Sequence, residues 1–482
     1  MPKESPDLDE AQRRAVAELL RVAPVAEELG ARFRASGHPL ALVGGSVRDA
    51  LLGRLGHDLD FTTDARPEQI MAVVKPWADA IWDIGIAFGT VSARKDGYQL
   101  EITTYRSEAY DRTSRKPVVV YGDSLVDDLK RRDFTINAMA IELPQVRFVD
   151  PYHGLGDLAG GVLRTPATPQ ESFSDDPLRM MRAARFAAQL RFAVAPEVVR
   201  AIAEMFDRIE IVSAERVRDE LVRLVNGADP RAGLTLVVDT GLAGLVLPEL
   251  PKLRLEIDEH HRHKDVYEHT LTVLEQAIAL EDDGPDFVLR FAALMHDIGK
   301  PRTRRFEPGG GVSFHHHEAV GAKMTRTRMR ALKFDKETIH DVSRLVELHL
   351  RFHGYGTGEW TDSAVRRYVR DAGPLLDRLH KLTRADCTTR NRRRAEALRR
   401  AYDHLEARIA VLQAQEALDA IRPDLDGNEI MQILGIKPGP LVGRARKHML
   451  ELRLDRGPLD HDTAVAELHA WWSRQPESRS PG

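Results

Sequence analysis

The hydrophobic pattern changes period along the chain, and the changes mark out its parts. Over residues 1–37 a polar lead gives way to apolar positions at Leu19, Leu20, Val22, Val25, Ala26 and Leu29. That spacing predicts one amphipathic helix, ended by Gly30 or Gly37. The period then shortens. Pro39–Val43 is a short apolar run closed by Gly44-Gly45, Asp58–Thr63 alternates with period two, and Gln99–Tyr105 alternates and is β-branched. These are strand signatures, so residues 39–165 read as a mixed α/β segment. From about residue 170 strand patterns disappear. Helical periodicity runs through Leu178–Leu190, Glu215–Val225, Val266–Leu280, Asp286–Met295, Glu337–Leu350, Asp362–Val369 and Asn391–Leu418. The predicted fold class is α+β: an α/β head with a mixed sheet, then all-α segments. The polar stretch from about Gln475 is expected to fray.

Composition narrows the function classes. The 482 residues are 43% hydrophobic and 30% charged, which excludes collagen-like, low-complexity and wholly disordered chains. At roughly 150 residues per domain, this length predicts about three domains. Lys+Arg 70 against Asp+Glu 74 gives a net charge of -4. That excludes a uniformly basic nucleic-acid coat and leaves room for a local basic groove. The single cysteine, Cys387, excludes an internal disulfide and a Cys-based zinc site, and fits a reducing compartment. Met1–Gln12 is acidic and polar, unlike a signal or transit peptide. No apolar run approaches the roughly 18 residues of a membrane span. A cytoplasmic chain with no membrane partner is expected.

The densest chemical signal is Leu42-Val-Gly-Gly-Ser-Val-Arg-Asp49, followed by Asp58-Leu-Asp60. Gly44 and Gly45 after a strand let backbone approach a ligand closely, and N–H groups at the following helix start suit phosphate. Arg48 offers a guanidinium fork to phosphate oxygens. Asp58 and Asp60, two apart on a strand, face one side. Two such carboxylates suit Mg²⁺, which binds oxygen ligands together with substrate phosphates. Alone, Asp-x-Asp is ordinarily a solvated strand edge; its proximity to the glycines points to a metal and triphosphate site.

These residues resemble motif A of the class II nucleotidyltransferases, the tRNA nucleotidyltransferase/poly(A) polymerase family. Further motifs follow in the family's order. Arg131-Arg-Asp-Phe-Thr-Ile-Asn-Ala-Met-Ala140 is similar to motif B, and Asp150-Pro-Tyr-His-Gly-Leu-Gly-Asp-Leu158 to motif C. Asp175-Asp-Pro-Leu-Arg179 resembles motif D, and Glu215-Arg-Val-Arg-Asp-Glu220 resembles motif E. Motif D usually begins Glu-Asp; Asp175 keeps the charge and loses a methylene. The resemblance implies an N-terminal helix (1–37), a catalytic head (38–165), a nucleotide-selecting neck (166–230), a helical body (231–400) and a helical tail (401–482).

It also implies a reaction: addition of CCA to the 3′ end of tRNA, from CTP and ATP, with release of pyrophosphate. Poly(A) synthesis and A-only addition are the enzymatic alternatives, because they share these motifs. A tRNA-binding or regulatory protein with a silent head is the alternative of another class. Asp58 and Asp60 are the implied Mg²⁺ ligands. Glu101 reads either as a third carboxylate or as a strand-face glutamate satisfied by an arginine. Arg131, Asp133 and Asn137 are implied to bind sugar and phosphate. Arg106–Val120 matches the place of the family's flexible loop, and equally a solvated loop. Asp176 and Arg179 open a helix on which Arg179, Arg182 and Arg185 share a broad face. Cytosine and adenine both present an amine beside a ring-nitrogen acceptor. A carboxylate with a guanidinium matches that pair, whereas uracil and guanine set a carbonyl against the carboxylate.

The helical part carries a second constellation. His296-Asp297 closes the apolar run Phe291–Met295, with His269 upstream and Asp386 downstream. These resemble the HD superfamily of metal-dependent phosphohydrolases, which places an HD domain at about 260–390. His317 and His349 stand where binuclear members have extra ligands. Imidazole and carboxylate donors suit Mn, Fe, Ni, Zn or Co. In some relatives this domain hydrolyses 2′,3′-cyclic phosphates and phosphomonoesters; in others the helical body only grips tRNA. His315 and His316 have no assigned role, and His340 reads as a packed core histidine. Cations at Arg390–Arg400 and Lys323–Lys336 read as RNA contacts or as solvated helix faces. Gly435–Gly443 reads as a Gly/Pro turn between tail helices.

Overall fold

The computed structural model describes residues 24–54, 56–82, 89–107, 120–254, 265–308, 312–352, 360–388, 392–416 and 421–479, with Glu10, Arg13 and Ala17. Leu19, Leu20, Val22, Arg390 and residues 108–119 of the expected loop lie outside them. The chain divides into two units, Met1–Pro251 and Lys252–Gly482.

In the first unit, helix α1 (Pro24–Ala35) buries Val25, Ala26, Leu29, Gly30 and Phe33. Gly30 lies inside the helix and does not end it. A Cβ there would fall 2.5 Å from Leu143 Cβ, so the missing side chain lets α1 lie close on the sheet. Gly37, at φ +79, provides the stop. The sheet has seven strands: β1 (Leu40–Val43), β2 (Asp58–Thr63), β3 (Ala80–Trp82), β4 (Thr90–Lys95), β5 (Tyr98–Thr104), β6 (Ala140–Leu143) and β7 (Arg147–Val149), in the order β3-β4-β5-β2-β1-β6-β7. Only β2 and β5 pair in parallel; the other pairings are antiparallel. β1 is central and buried throughout, which is why it reads as a continuous apolar run.

Helix α2 (Gly45–Leu51) follows β1 through the single residue Gly44. Helix α3 (Pro67–Val74) packs on β4 and β5. Helix α4 (Leu125–Lys130) is capped by Ser124, whose hydroxyl accepts from Asp127 N–H. Beyond the sheet, α5 (Leu178–Leu190) packs against α6 (Ala214–Val225) and α7 (Pro230–Asp239). Val162–Leu163 and Ala193–Val194 form a short parallel pair. Arg305–Phe306 and Val312–Ser313 pair in the second unit. Strands therefore do occur past residue 170, but at two residues each they are too short to show a period.

The second unit is built around α9 (Phe287–Met295), in which every residue from Leu289 to Met295 is buried. A helix buried on every side belongs at a core centre, and its one charge, Arg290, is paired with Glu281. It packs against α8 (Val266–Ile278), α11 (Lys336–Leu348) and α12 (Leu376–Ala385), while α10 (His317–Ala331) packs on α11. The chain continues through α13 (Arg392–Glu416) to α14 (Gly427–Leu434), α15 (Pro440–Arg456) and α16 (His461–Trp472). Leu425, Ile430, Ala445, Met449 and Leu468 give these last three helices a core of their own. Gly435, at φ +65, ends α14, and Pro440 already opens α15, so the expected Gly/Pro turn is shorter than its sequence signal. Arg366 ties the tail in: Nε and Nη2 each donate to Glu416 at 2.7 Å, and Nη1 donates to the Leu454 carbonyl. No described helix is long and apolar enough to cross a membrane.

Candidate functional site

In the head, strand β2 turns Leu59 and Phe61 into the core and Asp58 and Asp60 to the other face. The parallel register sets Asp60 beside Glu101 on β5. Paired residues point to the same face, so the three carboxylates line one surface. Asp60 is half-buried. Burial foremost, and then Glu101 and Asp58, push its carboxyl above the usual range, while Arg132 and Arg48 pull it down. Crowded carboxylates of this kind suit a divalent cation.

The turn before α2 is shaped around this surface. Gly44 has φ +70, and a Cβ on it would lie 3.0 Å from Arg132 Nη1 and 3.7 Å from Asp60 Oδ2. Ser46 Oγ donates to the Asp58 carbonyl at 3.2 Å and accepts from Asp60 N–H at 3.0 Å, pinning α2 to β2. Sequence reasoning passed over Ser46, although it stands in Gly44-Gly-Ser46.

Arg48 departs from expectation. Asp49 fills its fork (Nε–Oδ1 2.9 Å, Nη2–Oδ2 2.8 Å), and its Nη1 donates to Asn137 at 2.7 Å. It is 9% exposed and lies over the Phe186 ring. Nε, Nη1 and Nη2 each make a bond inside the protein, so Arg48 ties α2 to the motif B segment.

That segment is a network. Asn137 donates to Asp133 at 2.9 Å, and Arg182 on α5 grips Asp133 with Nε at 2.7 Å and Nη2 at 2.5 Å. Burial works to raise the Asp133 carboxyl, but Arg182 and Asn137 outweigh it and hold it far below the usual range. Arg131 and Arg132 both reach Asp128, which is fully buried. Burial would raise that carboxyl too; Arg132 and Arg131 bring it below the ordinary value. Asp150 of motif C accepts from Gly154 N–H and Leu155 N–H. A Cβ on Gly154 would fall 2.1 Å from the Thr135 carbonyl, so motif C locks directly onto motif B.

Two residues before α5, Asp176 accepts from Leu178 N–H at 3.1 Å and pairs with Arg216 on α6 at 2.9 Å. Arg179 Nη1 donates to Ser172 Oγ at 2.9 Å, and Nη2 donates to the Arg131 carbonyl. Arg185 differs from the other two arginines. It is 5% exposed, pairs with the buried Glu220 at 3.2 Å and stands 4.1 Å over Phe186. Burial pushes its guanidinium down to about 10. It therefore braces α5 from inside and does not share the open face with Arg179 and Arg182.

The second unit draws its ligand candidates together. Ligand atoms of His269, His296 and Asp386 lie within 4.8 Å of one another, and so do those of Asp297, His317 and His349. Asp297 spans the two sets, with Oδ2 3.2 Å from His296 Nε2 and Oδ1 3.2 Å from His317 Nε2. His296, His317 and His349 each donate Nδ1–H to the carbonyl three residues earlier, on Ala293, Phe314 and Val346, at 2.7–2.8 Å. A carbonyl only accepts, so each Nδ1 carries a proton and Nε2 is the nitrogen turned to the centre. His269 Nδ1 lies 3.0 Å from Thr388 Oγ1, with the same orientation. The buried His349 Nε2 has no hydrogen-bond partner. Burial foremost, and then His296, push His349 down to about 3, leaving a neutral imidazole. Convergent imidazoles, two carboxylates and an orphaned acceptor fit a transition metal. Gly299 brings α10 in: a Cβ there would meet the His317 carbonyl at 2.1 Å. Lys300, unassigned from sequence, places Nζ 2.5 Å from Asp297 Oδ2.

Three further expectations resolve. His340 is exposed and not packed in the core: it falls on the outer side of α11, opposite Ile339 and Val342. His315 and His316 are exposed, as are Arg392, Arg393, Arg394, Arg399, Arg400, Lys323, Arg330, Lys333 and Lys336.

Comparison with known proteins follows this division. Residues 40–164 match the poly A polymerase head domain, residues 191–253 the probable RNA and SrmB-binding site of polymerase A, and residues 266–391 the HD domain. The A-adding tRNA nucleotidyltransferase of Deinococcus radiodurans is 35% identical over 421 residues, which is 86% of this chain and 91% of that protein. The chain belongs to the tRNA nucleotidyltransferase/poly(A) polymerase family. Another member, the CCA-adding enzyme of Levilactobacillus brevis, is 42% identical over 208 residues, 43% of this chain and 51% of its own length. Among solved structures of this family, the Bacillus stearothermophilus CCA-adding enzyme in complex with CTP aligns with a TM-score of 0.67 at 25% identity, over 95% of this chain and 100% of that one. The Thermotoga maritima CCA-adding enzyme complexed with tRNA shares the fold, with a TM-score of 0.61 at 18% identity over 95% and 98%.

Proposed function

We propose that this member of the family adds CCA to the 3′ end of tRNA from CTP and ATP. The observation that carries the reading is the carboxylate surface of Asp58, Asp60 and Glu101 under Arg132, on a head linked through motif B to the Asp176–Arg179 helix. The tRNA 3′-oxygen forms a bond to the α-phosphorus, the bond from that phosphorus to the β-bridging oxygen breaks, and pyrophosphate leaves. Asp58 and Asp60, with Glu101 beside them, are the residues to hold Mg²⁺, which when bound lowers the hydroxyl pKa and neutralises leaving charge. Gly44 and Gly45 leave room for the triphosphate, and Arg131 and Arg132 face its charge. Asp133 and Asn137 fix the ribose pocket through Arg182.

Asp176 accepts from the base amine and Arg179 donates to the ring nitrogen, after the base displaces Arg216 and the Ser172 contact. Asp176→Ala or Arg179→Ala should relax discrimination against UTP and GTP by one or two decades, the value of about 1.5–3 kcal/mol for a charged hydrogen bond. Competition kinetics with mixed nucleotides reads this directly. Unchanged selectivity with a slower rate assigns the two residues to helix packing.

A-only addition is the second reading, favoured by the end-to-end similarity to the Deinococcus radiodurans protein. Two substrates separate them. With tRNA lacking all three terminal nucleotides, CCA addition incorporates two C and one A and stops. An A-adding enzyme leaves that substrate alone and extends only tRNA already ending in CC. A long A tract on either points to poly(A) synthesis.

For the second unit we propose a binuclear-type site for Ni, Mn, Co, Fe or Zn that hydrolyses 2′,3′-cyclic phosphates or phosphomonoesters. The matched tautomers of His296, His317 and His349 support it. The exposed arginines of α13 and the cations of α10 support contact with tRNA phosphates.

A further inference from the structure

Asp128 is fully buried, yet it sits between two arginines and both carboxylate-bearing strands. Its Oδ1 accepts from Arg131 Nε at 3.1 Å, Arg131 Nη2 at 2.8 Å and Arg106 N–H at 3.2 Å. Its Oδ2 accepts from Arg132 Nη2 and from Thr62 Oγ1, each at 3.3 Å. Thr62 is two residues beyond Asp60 on β2, and Arg106 follows β5, which carries Glu101. A buried ion pair is weak evidence for stability, because apolar packing often serves as well. The arrangement around Arg132 indicates another use. Its Nη1 and Asp60 Oδ2 flank the same point above Gly44. Among the described residues, however, the ion pair of Arg132 is with Asp128 and not with Asp60.

We propose that Asp128 is a positioning residue for nucleotide addition: it holds Arg132 off Asp60, keeping that carboxylate open to a divalent cation and the guanidinium beside it for the anionic nucleotide. This rests on the reading of the head as the addition site. The arginine next to a metal ligand is the strongest local competitor for that ligand, and a second, deeper carboxylate removes the competition without removing the charge. The same carboxylate orders Arg131, whose carbonyl receives Arg179, so the base-reading helix and the metal-binding strand share one anchor.

The test uses the full chain, ATP, and tRNA ending in CC, with Mg²⁺ titrated and its equilibrium binding to each variant measured in parallel by calorimetry without tRNA, where the same shifts in midpoint are expected. Asp128→Asn frees Arg132 to pair with Asp60 and should raise the Mg²⁺ concentration for half-maximal rate about tenfold, one charged contact. Asp128→Asn with Arg132→Gln should return it to within about twofold of wild type while the KM for ATP stays high. Arg132→Gln alone should raise that KM without raising the Mg²⁺ requirement. A purely structural Asp128 lowers the rate of both variants that carry Asp128→Asn and leaves the Mg²⁺ midpoint unmoved, which overturns the inference. If Asp128→Asn does not fold by near-ultraviolet circular dichroism, Arg132→Gln decides: a raised Mg²⁺ midpoint in that variant overturns it as well. A wild-type chain that adds no nucleotide to any tRNA end overturns the reading of the head instead.

Discussion

Asp60→Ala should abolish nucleotide addition and leave the fold as stable as before, or more so. The two halves of that expectation have different causes. A metal that activates the attacking oxygen and neutralises the leaving charge is worth several kcal/mol in the transition state, so losing a ligand should cost about a thousandfold or more in rate. Stability moves the other way, because the carboxyl of Asp60 is raised by burial and by its neighbours Glu101 and Asp58. A group whose folded pKa is raised is held in its charged form at a cost above that pKa, so removing it relieves strain at neutral pH. The Asp60 backbone N–H keeps its bond to Ser46 Oγ in the variant. Asp58→Ala should show the same loss of rate with no change in stability, since Asp58 is exposed. Single-turnover addition and thermal melting together read both effects. Near-normal addition in either variant removes these residues from the metal site.

Much of this head was legible in one dimension because its chemistry is local. Gly44-Gly45 before a helix and Asp58-Leu-Asp60 on a strand state their geometry by spacing alone. Glu101 was not settled that way: only the β2–β5 register, with Asp60 opposite Glu101, puts it on the carboxylate surface. Register is a non-local property that a single strand's pattern does not encode. The partners of Arg48 and Arg185 were hidden for a related reason. A guanidinium near a Gly-rich turn or on a helix face looks available until the carboxylate that fills it is known, and Asp49 and Glu220 are those carboxylates. Asp128 and Arg132 carry no motif signature that tells anchor from ligand. The strand Thr90–Lys95 went unread because its inward positions, Val91 and Ala93, are small beside the polar ones. His340 follows Ile339 in sequence, but one residue along a helix is 100°, enough to turn it from the core to solvent.

The body histidines illustrate the favourable case. His-Asp after an apolar run marks a helix end, and the candidates named along the chain do converge in two groups of three. The prediction that follows is a separation of activities. His296→Ala with Asp297→Ala should remove bound transition metal and the hydrolysis of a 2′,3′-cyclic nucleotide supplied with Ni²⁺, Mn²⁺ or Co²⁺. Both residues are 1% exposed, so the pair leaves a cavity and lowers the melting temperature of its own unit. CCA addition should persist at a comparable rate, because the head needs hard oxygen ligands and none of its candidates lies beyond Pro251. His349→Gln is the gentler companion. It removes the unpartnered Nε2 with little loss of volume, and should lower metal content while sparing the fold. The converse pair, Asp58→Ala with Asp60→Ala, should spare hydrolysis entirely. Metal analysis of the purified chain and the two assays on each variant decide the matter. If a folded wild-type chain binds no transition metal and cleaves no cyclic phosphate with any of these ions, Asp297 and its histidines form a buried polar staple. The short contacts from Asp297 to His296, His317 and Lys300 would then be its whole purpose.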